Sequence, residues 1–176
     1  GKKFHDFTLI TALGIDIDGR KHILGLWPGA TESSEVCGQL LDELIERGLS
    51  VQRKYLFILD GAKALAKAVK QRFGQQVLIQ RCRLHKKRNI EKYLPKKYHK
   101  LLAMKLHTAW EMTDYNEAKK ELYKVHDWLA SINQAAAASL QEGFEETLTI
   151  NRLNLPASLR KLFKPTNLIE SSFSFA

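Results

Sequence analysis

The chain has little sulfur, little proline and few acidic residues for its size. Two cysteines in 176 residues, Cys37 and Cys82, exclude a disulfide framework. A reducing, cytoplasmic setting is the simplest expectation from that usage. No window is apolar over the ~18 residues that a membrane helix needs, and Gly1 to Asp6 carry no basic-then-apolar secretory pattern. Acidic residues are the scarcer charge, 19 against 28 Lys and Arg, for a net charge of +9. Such a surplus favours nucleic acid as a partner over an anionic membrane, for which no amphipathic anchor is seen. A merely soluble basic surface is the plain alternative. What is present is an ordinary 44% hydrophobic content, enough for one domain with a real core.

The first half reads as an α/β pattern. Phe7 to Ile15 is short and rich in strand formers, Asp18-Gly19 is a hairpin signal, and Lys21 to Leu26 gives a second strand closed by Pro28-Gly29. Glu32 to Arg47 has helical spacing, with Thr31 as candidate cap, an apolar face of Val36, Leu40, Leu41, Leu44 and Ile45, and Gly48 as its stop. Tyr55 to Leu59 is unbroken apolar and suits a central strand buried on both faces; it ends on Asp60-Gly61. A helix over Ala62 to Phe73 and a strand over Gln76 to Cys82 follow. The expectation is a mixed sheet, antiparallel at one edge and parallel in the middle, flanked by helices.

Beyond His85 the strand pattern stops. Ala103 to Trp110, Tyr115 to Ile132 and Ala135 to Thr147 are predicted helices, the second capped by Asp114 with Glu117 three residues on. The predicted organisation is a core over 1–85, an all-α insertion over 86–160, and over 161–176 the start of a core helix with Glu170 near its first turn.

Four features could carry chemistry. Asp60 stands at the carboxyl end of a strand, where open α/β sheets bind ligands, and a carboxylate there suits Mg²⁺. The same residue precedes a helix and could cap it; pattern alone leaves both readings open. Glu170 in a first helical turn is read from pattern as dipole compensation. Cys82 and His85 form a C-x-x-H pair without a second pair, short of the four ligands of a structural zinc site. A role near the sheet edge stands beside a bland reading, a buried cysteine ending a strand. Arg81 to Lys105 holds ten Lys or Arg against one acidic residue, Glu91, with Tyr93 and Tyr98 interleaved. Arg81, Arg83, Lys86, Lys87, Arg88, Lys92, Lys96 and Lys97 would make a track for phosphates; the alternative is a solvated basic face. Asp16 and Asp18 look like turn residues, and Trp110 and Trp128 like core.

Taken together, Leu13 to Gly19 with Ile23 to Trp27, Leu49 to Ala62, Gln80-Arg81-Cys82 with His85 and Arg88-Asn89, and Thr166 to Ser171 resemble the Mutator-type insertion-sequence transposases, over nearly the whole chain and in the family's order. The resemblance implies an RNase H-like core interrupted by a helical insertion, with Asp60 matching the second and Glu170 the third member of a DDE triad. It implies Mg²⁺ or Mn²⁺, two ions in a complete site, and double-stranded DNA as partner, both element ends and target. A homo-oligomer near the bacterial nucleoid follows from the same likeness. The first triad Asp is expected upstream of Gly1, and so is a first strand, which leaves these 176 residues with little expected catalysis on their own. A non-catalytic basic DNA-binding module or degenerate remnant, a nuclease or resolvase of the same fold, and a helical adaptor for RNA or protein are the rival readings.

Overall fold

The computed structural model describes residues 9–16, 18–29, 33–155 and 160. They fall into two compact units, one drawn from positions 9–55 and 62–77, the other from 56–61, 78–155 and 160.

In the first unit, β1 (Leu9–Ile15) and β2 (Lys21–Pro28) pair antiparallel, with a bulge where Ala12 faces Gly25 but Leu13 faces Ile23. The turn is longer than the two-residue type that Asp-Gly suggests. The Asp16 N–H donates to Arg20 O at 3.1 Å, while Asp16 Oδ1 accepts from the N–H groups of Asp18 and Arg20 at 3.0 and 2.8 Å. Asp16 and Asp18 are therefore turn formers, and Gly19 takes the left-handed φ of +81° that the turn requires.

Helix α1 (Ser34–Glu46) begins later than expected, because Ser33 rather than Thr31 is its cap and accepts from the Val36 N–H at 3.3 Å. Its buried residues are Cys37, Gly38, Leu40, Leu41 and Leu44. It closes as anticipated: the Gly48 N–H donates to Ile45 O and the Leu49 N–H to Leu44 O, both at 2.9 Å, with Gly48 at φ +108°. Helix α2 (Lys63–Phe73) packs through Ala68 and Val69. Its Arg72 forks onto both oxygens of Asp42 at 2.6 and 2.7 Å, and a β carbon on Gly38 would lie 2.9 Å from Arg72 Nη2.

In the second unit, β3 (Leu56–Leu59) and β4 (Leu78–Arg81) run parallel, Leu59 in register with Arg81. Helices α3 (Arg83–Glu91), α4 (His99–Glu111), α5 (Tyr115–Ile132), α6 (Gln134–Gln141) and the short α7 (Thr149–Arg152) follow, with 3₁₀ turns at Lys96–Tyr98 and Glu145–Leu148. Ile90, Leu102, Leu106, Leu122, Leu129 and Leu140 form the fully buried centre of the core. Asp114 caps α5 by accepting from the Glu117 N–H at 2.9 Å, and Asn133 caps α6 from Ala135 and Ala136 at 2.8 and 3.2 Å. Trp110 is buried and Trp128 packs against the cluster, as expected of core aromatics.

The chain is mixed α/β. Among the described residues one unit holds the antiparallel pair β1–β2 and the other the parallel pair β3–β4. Among the described residues β3 has one hydrogen-bonded neighbour, β4, with Leu59 buried and Leu56, Phe57 and Ile58 half-buried. One expected bound is corrected: the helix predicted over 135–147 stops at Gln141, where Glu142 turns extended and Gly143 adopts φ +70°. The basic stretch after Cys82, for which the sequence offered no bounded element, forms helix α3.

Candidate functional site

Asp60 follows the last residue of β3 and is half-buried. The cap position of α2 belongs to Ala62, two residues later, so Asp60 does not occupy it. Gly61 between them has φ +117°, a conformation that a side chain would strain. Glu170 lies outside the described residues. Among the described residues no three His, Cys, Asp or Glu side chains gather closely enough to hold a metal ion.

The basic stretch separates into inward and outward charges. Arg81, Arg83 and Lys86 are 7%, 8% and 2% exposed. Arg81 Nη2 donates to the Glu142 carboxylate, and Lys86 Nζ donates to Glu142 Oε2 and Ser139 O, both at 2.7 Å. Arg83 donates through Nε to Thr147 O at 3.1 Å and through Nη2 to Asn151 Oδ1 at 2.5 Å, with its cation over the Trp110 ring at 5.5 Å. These three cations are engaged within the unit and do not form a solvent-facing phosphate track. Burial pulls the Arg83 guanidinium down to about 10 and lowers the Lys86 ammonium below its ordinary value.

Arg88, Lys92, Lys96 and Lys97 are exposed, and Lys87 is half-buried beside Glu91 at 3.3 Å. Tyr93 is 47% exposed, and Lys97 Nζ lies 5.0 Å from the Tyr98 ring centre. Cys82 is the cap residue of α3, and its Sγ lies 3.1 Å from His85 Nδ1. That contact orients the imidazole at the end of β4; Cys82 is free of any disulfide.

A buried polar lattice that the sequence did not announce stitches β4 to the 147–151 segment. Gln80 Nε2 donates to Thr147 O at 3.0 Å, Gln80 Oε1 accepts from the Ile150 N–H at 3.0 Å, and Thr149 Oγ1 donates to Ile79 O at 2.7 Å. Asn151 Nδ2 donates to Met112 O at 2.7 Å and Trp110 O at 3.2 Å. One available signal was the spacing of Arg83, Lys86 and Ile90, at the i, i+3 and i+7 positions of a buried helix face. Another was the acidic group Glu142, Glu145 and Glu146 in a chain otherwise poor in acid.

A family model described as "Transposase, Mutator family" matches residues 4–173. The transposase for insertion sequence element IS256 in transposon Tn4001 of Staphylococcus aureus is 35% identical over 163 residues, covering 90% of this chain and 40% of that protein. The transposase for ISRM5 of Rhizobium meliloti is 32% identical over 165 residues, 92% of this chain and 39% of its own. That for IS6120 of Mycolicibacterium smegmatis is 28% identical over 166 residues, 94% and 50% respectively. The chain thus spans between about two fifths and half the length of these relatives. No helix among the described residues is long and apolar enough to cross a membrane. With the family model matched along almost its whole length, the chain belongs to the Mutator family of transposases.

Proposed function

We propose that this chain is the catalytic portion of a DNA transposase that cleaves strands at insertion-sequence ends and joins them to target DNA. In this reading Asp60 and Glu170 are two members of a DDE triad on an RNase H-like core, and the helices after β4 are its insertion. The observation that carries it is the position of Asp60, half-buried at the carboxyl end of a strand in a parallel pair, in a chain of this family. Carboxylate oxygens are the hard donors that Mg²⁺ or Mn²⁺ takes, so Asp60 fits the ion in donor type, and Glu170 would be its companion. When bound, the ions would supply a polarised water or 3′-hydroxyl and charge stabilisation at the leaving oxygen.

The protein's own contribution to DNA is the exposed set Arg88, Lys92, Lys96 and Lys97, with Lys87 beside them and Tyr93 as a stacking surface. Arg81, Arg83 and Lys86 take no part, being spent inward. Assembly of the whole protein into a homo-oligomer on paired element ends belongs to the same reading. The test is Asp60→Ala and Glu170→Ala in the full-length transposase carrying this chain. Both should lose cleavage of an end-containing duplex while still binding it. Cleavage at the unmutated rate by either variant defeats the assignment.

A further inference from the structure

Arg81 ends β4 in register with Leu59, the residue before Asp60. Its side chain does more than pair with an acid. A β carbon built on Gly61 would stand 2.2 Å from Arg81 Nη1, and one on Gly143 would stand 2.7 Å from both Nε and Nη2. The guanidinium plane is therefore lodged between two stretches of backbone, each held open by a glycine at positive φ, +117° and +70°. No other residue type fits Gly61 without moving the guanidinium, because both the approach and the backbone conformation forbid a side chain.

The plane is also held at its edge. Nη2 donates to the Glu142 carboxylate, whereas Nε, buried without a hydrogen-bond partner, has the Glu146 carboxylate 3.5 Å away as a charge contact only. Glu142 is itself fixed, since Lys86 Nζ donates to its Oε2 at 2.7 Å and to its main-chain carbonyl. Lys86 is 2% exposed and reaches Ser139 O as well. The segment after α6 is thus fastened to the peptide that follows Asp60. A phosphate-binding role for Arg81 is disfavoured by its burial between two carboxylates.

A metal-binding carboxylate must be held within about 0.5 Å of its working position, and a strand end followed by a glycine in an unusual conformation does not supply that rigidity unaided. A planar, delocalised fork is suited to the task because it is stiff and always charged. We infer that Arg81, locked by Glu142 and Lys86, is a positioning residue that braces the Asp60–Gly61 turn and couples it to the 142–146 segment. The inference rests on the reading of Asp60 as a metal ligand.

The test is made in the full-length protein with Glu142→Gln and Arg81→Lys, which remove the charge of the anchor and the planarity of the brace respectively. Hydrogen exchange of the peptide spanning 56–62 should quicken about tenfold in both variants, with α5 amides unchanged. Titration with MnCl₂ should show weaker binding than in the unmutated protein. Unaltered exchange at 56–62, an equal quickening throughout α5, or unaltered Mn²⁺ affinity in variants with the loosened turn would each overturn the inference. If Arg81→Lys does not fold, Glu142→Gln alone decides, because Glu142 is partly exposed and its substitution conserves shape. Failure of the underlying reading is distinguishable: Asp60→Ala would then cleave normally, whereas failure of the brace leaves Asp60→Ala inactive and the 56–62 exchange unmoved.

Discussion

Asn151 Oδ1 accepts from Arg83 Nη2 at 2.5 Å across 68 residues of chain, and both side chains are buried. The amide nitrogen of the same Asn151 closes two main-chain carbonyls, Trp110 O and Met112 O. One neutral side chain therefore meets a buried cation, the buried Trp110 carbonyl and the part-buried Met112 carbonyl, which Arg160 Nη2 also reaches at 2.8 Å.

Asn151→Leu should destabilise the protein by about 2–3 kcal/mol, the range for stranding buried polar groups that include a charged one. The measurement is the shift in urea midpoint, with the slope unchanged. Adding Arg83→Met to Asn151→Leu should recover part of the loss, because an apolar replacement of both partners removes the unsatisfied charge. A single-variant loss under about 0.5 kcal/mol contradicts the network described, since surface substitutions fall in that range.

The Glu142 carboxyl offers a pH test. Burial pushes its proton affinity up, but the hydrogen bond and charge of Lys86, joined by Arg81, outweigh this and hold it below its ordinary 4.5. A depressed folded-state value means that the unfolded chain takes up the proton first as pH falls. The contribution of Glu142 is then present in full above 4.5 and lost on acidification through the folded-state value. The stability gap between the unmutated protein and Glu142→Gln should accordingly be widest near neutrality and close below that pH. Parallel stability curves down to pH 3 would contradict the pairing.

Each exposed cation on the proposed DNA face should count once in a salt titration. Lys96→Ala and Lys97→Ala should each weaken duplex binding and reduce the slope of log affinity against log salt by about 1. The same measurement on Lys86→Met should leave the slope untouched where the variant folds, because its ammonium faces Glu142 and Ser139. A slope reduction for Lys86→Met equal to that of Lys97→Ala would show that the inward set reaches DNA.

Two caps can be tested independently. Asp114→Ala and Asn133→Ala should each cost about 1 kcal/mol. Their effects should add, since each side chain serves a different helix start, α5 and α6. Thermal melts of the two single variants and the double variant check this.

The sequence was most legible where local chemistry decides. The β1–β2 pair follows from two strand-forming runs about an Asp-Gly turn, and α1 stops at Gly48 because only a left-handed residue completes that hydrogen-bond pattern. Asp114 was readable as a cap for the same reason. Asp60 was legible as a residue at a strand end, and the cap position was assigned only by the placement of Ala62. Glu170 stays outside the described residues, so its proposed role rests on family resemblance. Helix α3 carried a weak signal in the helical spacing of Arg83, Lys86 and Ile90, masked because two of these three buried positions are cations, which hydrophobic periodicity counts as surface. Their partners, Glu142 and Asn151, lie 56 and 68 residues away, a distance over which spacing arguments carry no information.

The inward turn of Arg81, Arg83 and Lys86 has a consequence for how the protein is made. A nascent or unfolded chain presents every cation of its basic stretch, whereas the native unit withholds these three. By mass action, any polyanion that grips those extra charges holds the chain open, to the extent that they add contacts. DNA, RNA or heparin present during refolding should therefore slow it, and moderate salt should relieve the delay. For this segment, nucleic acid would compete with folding before the proposed DNA face exists.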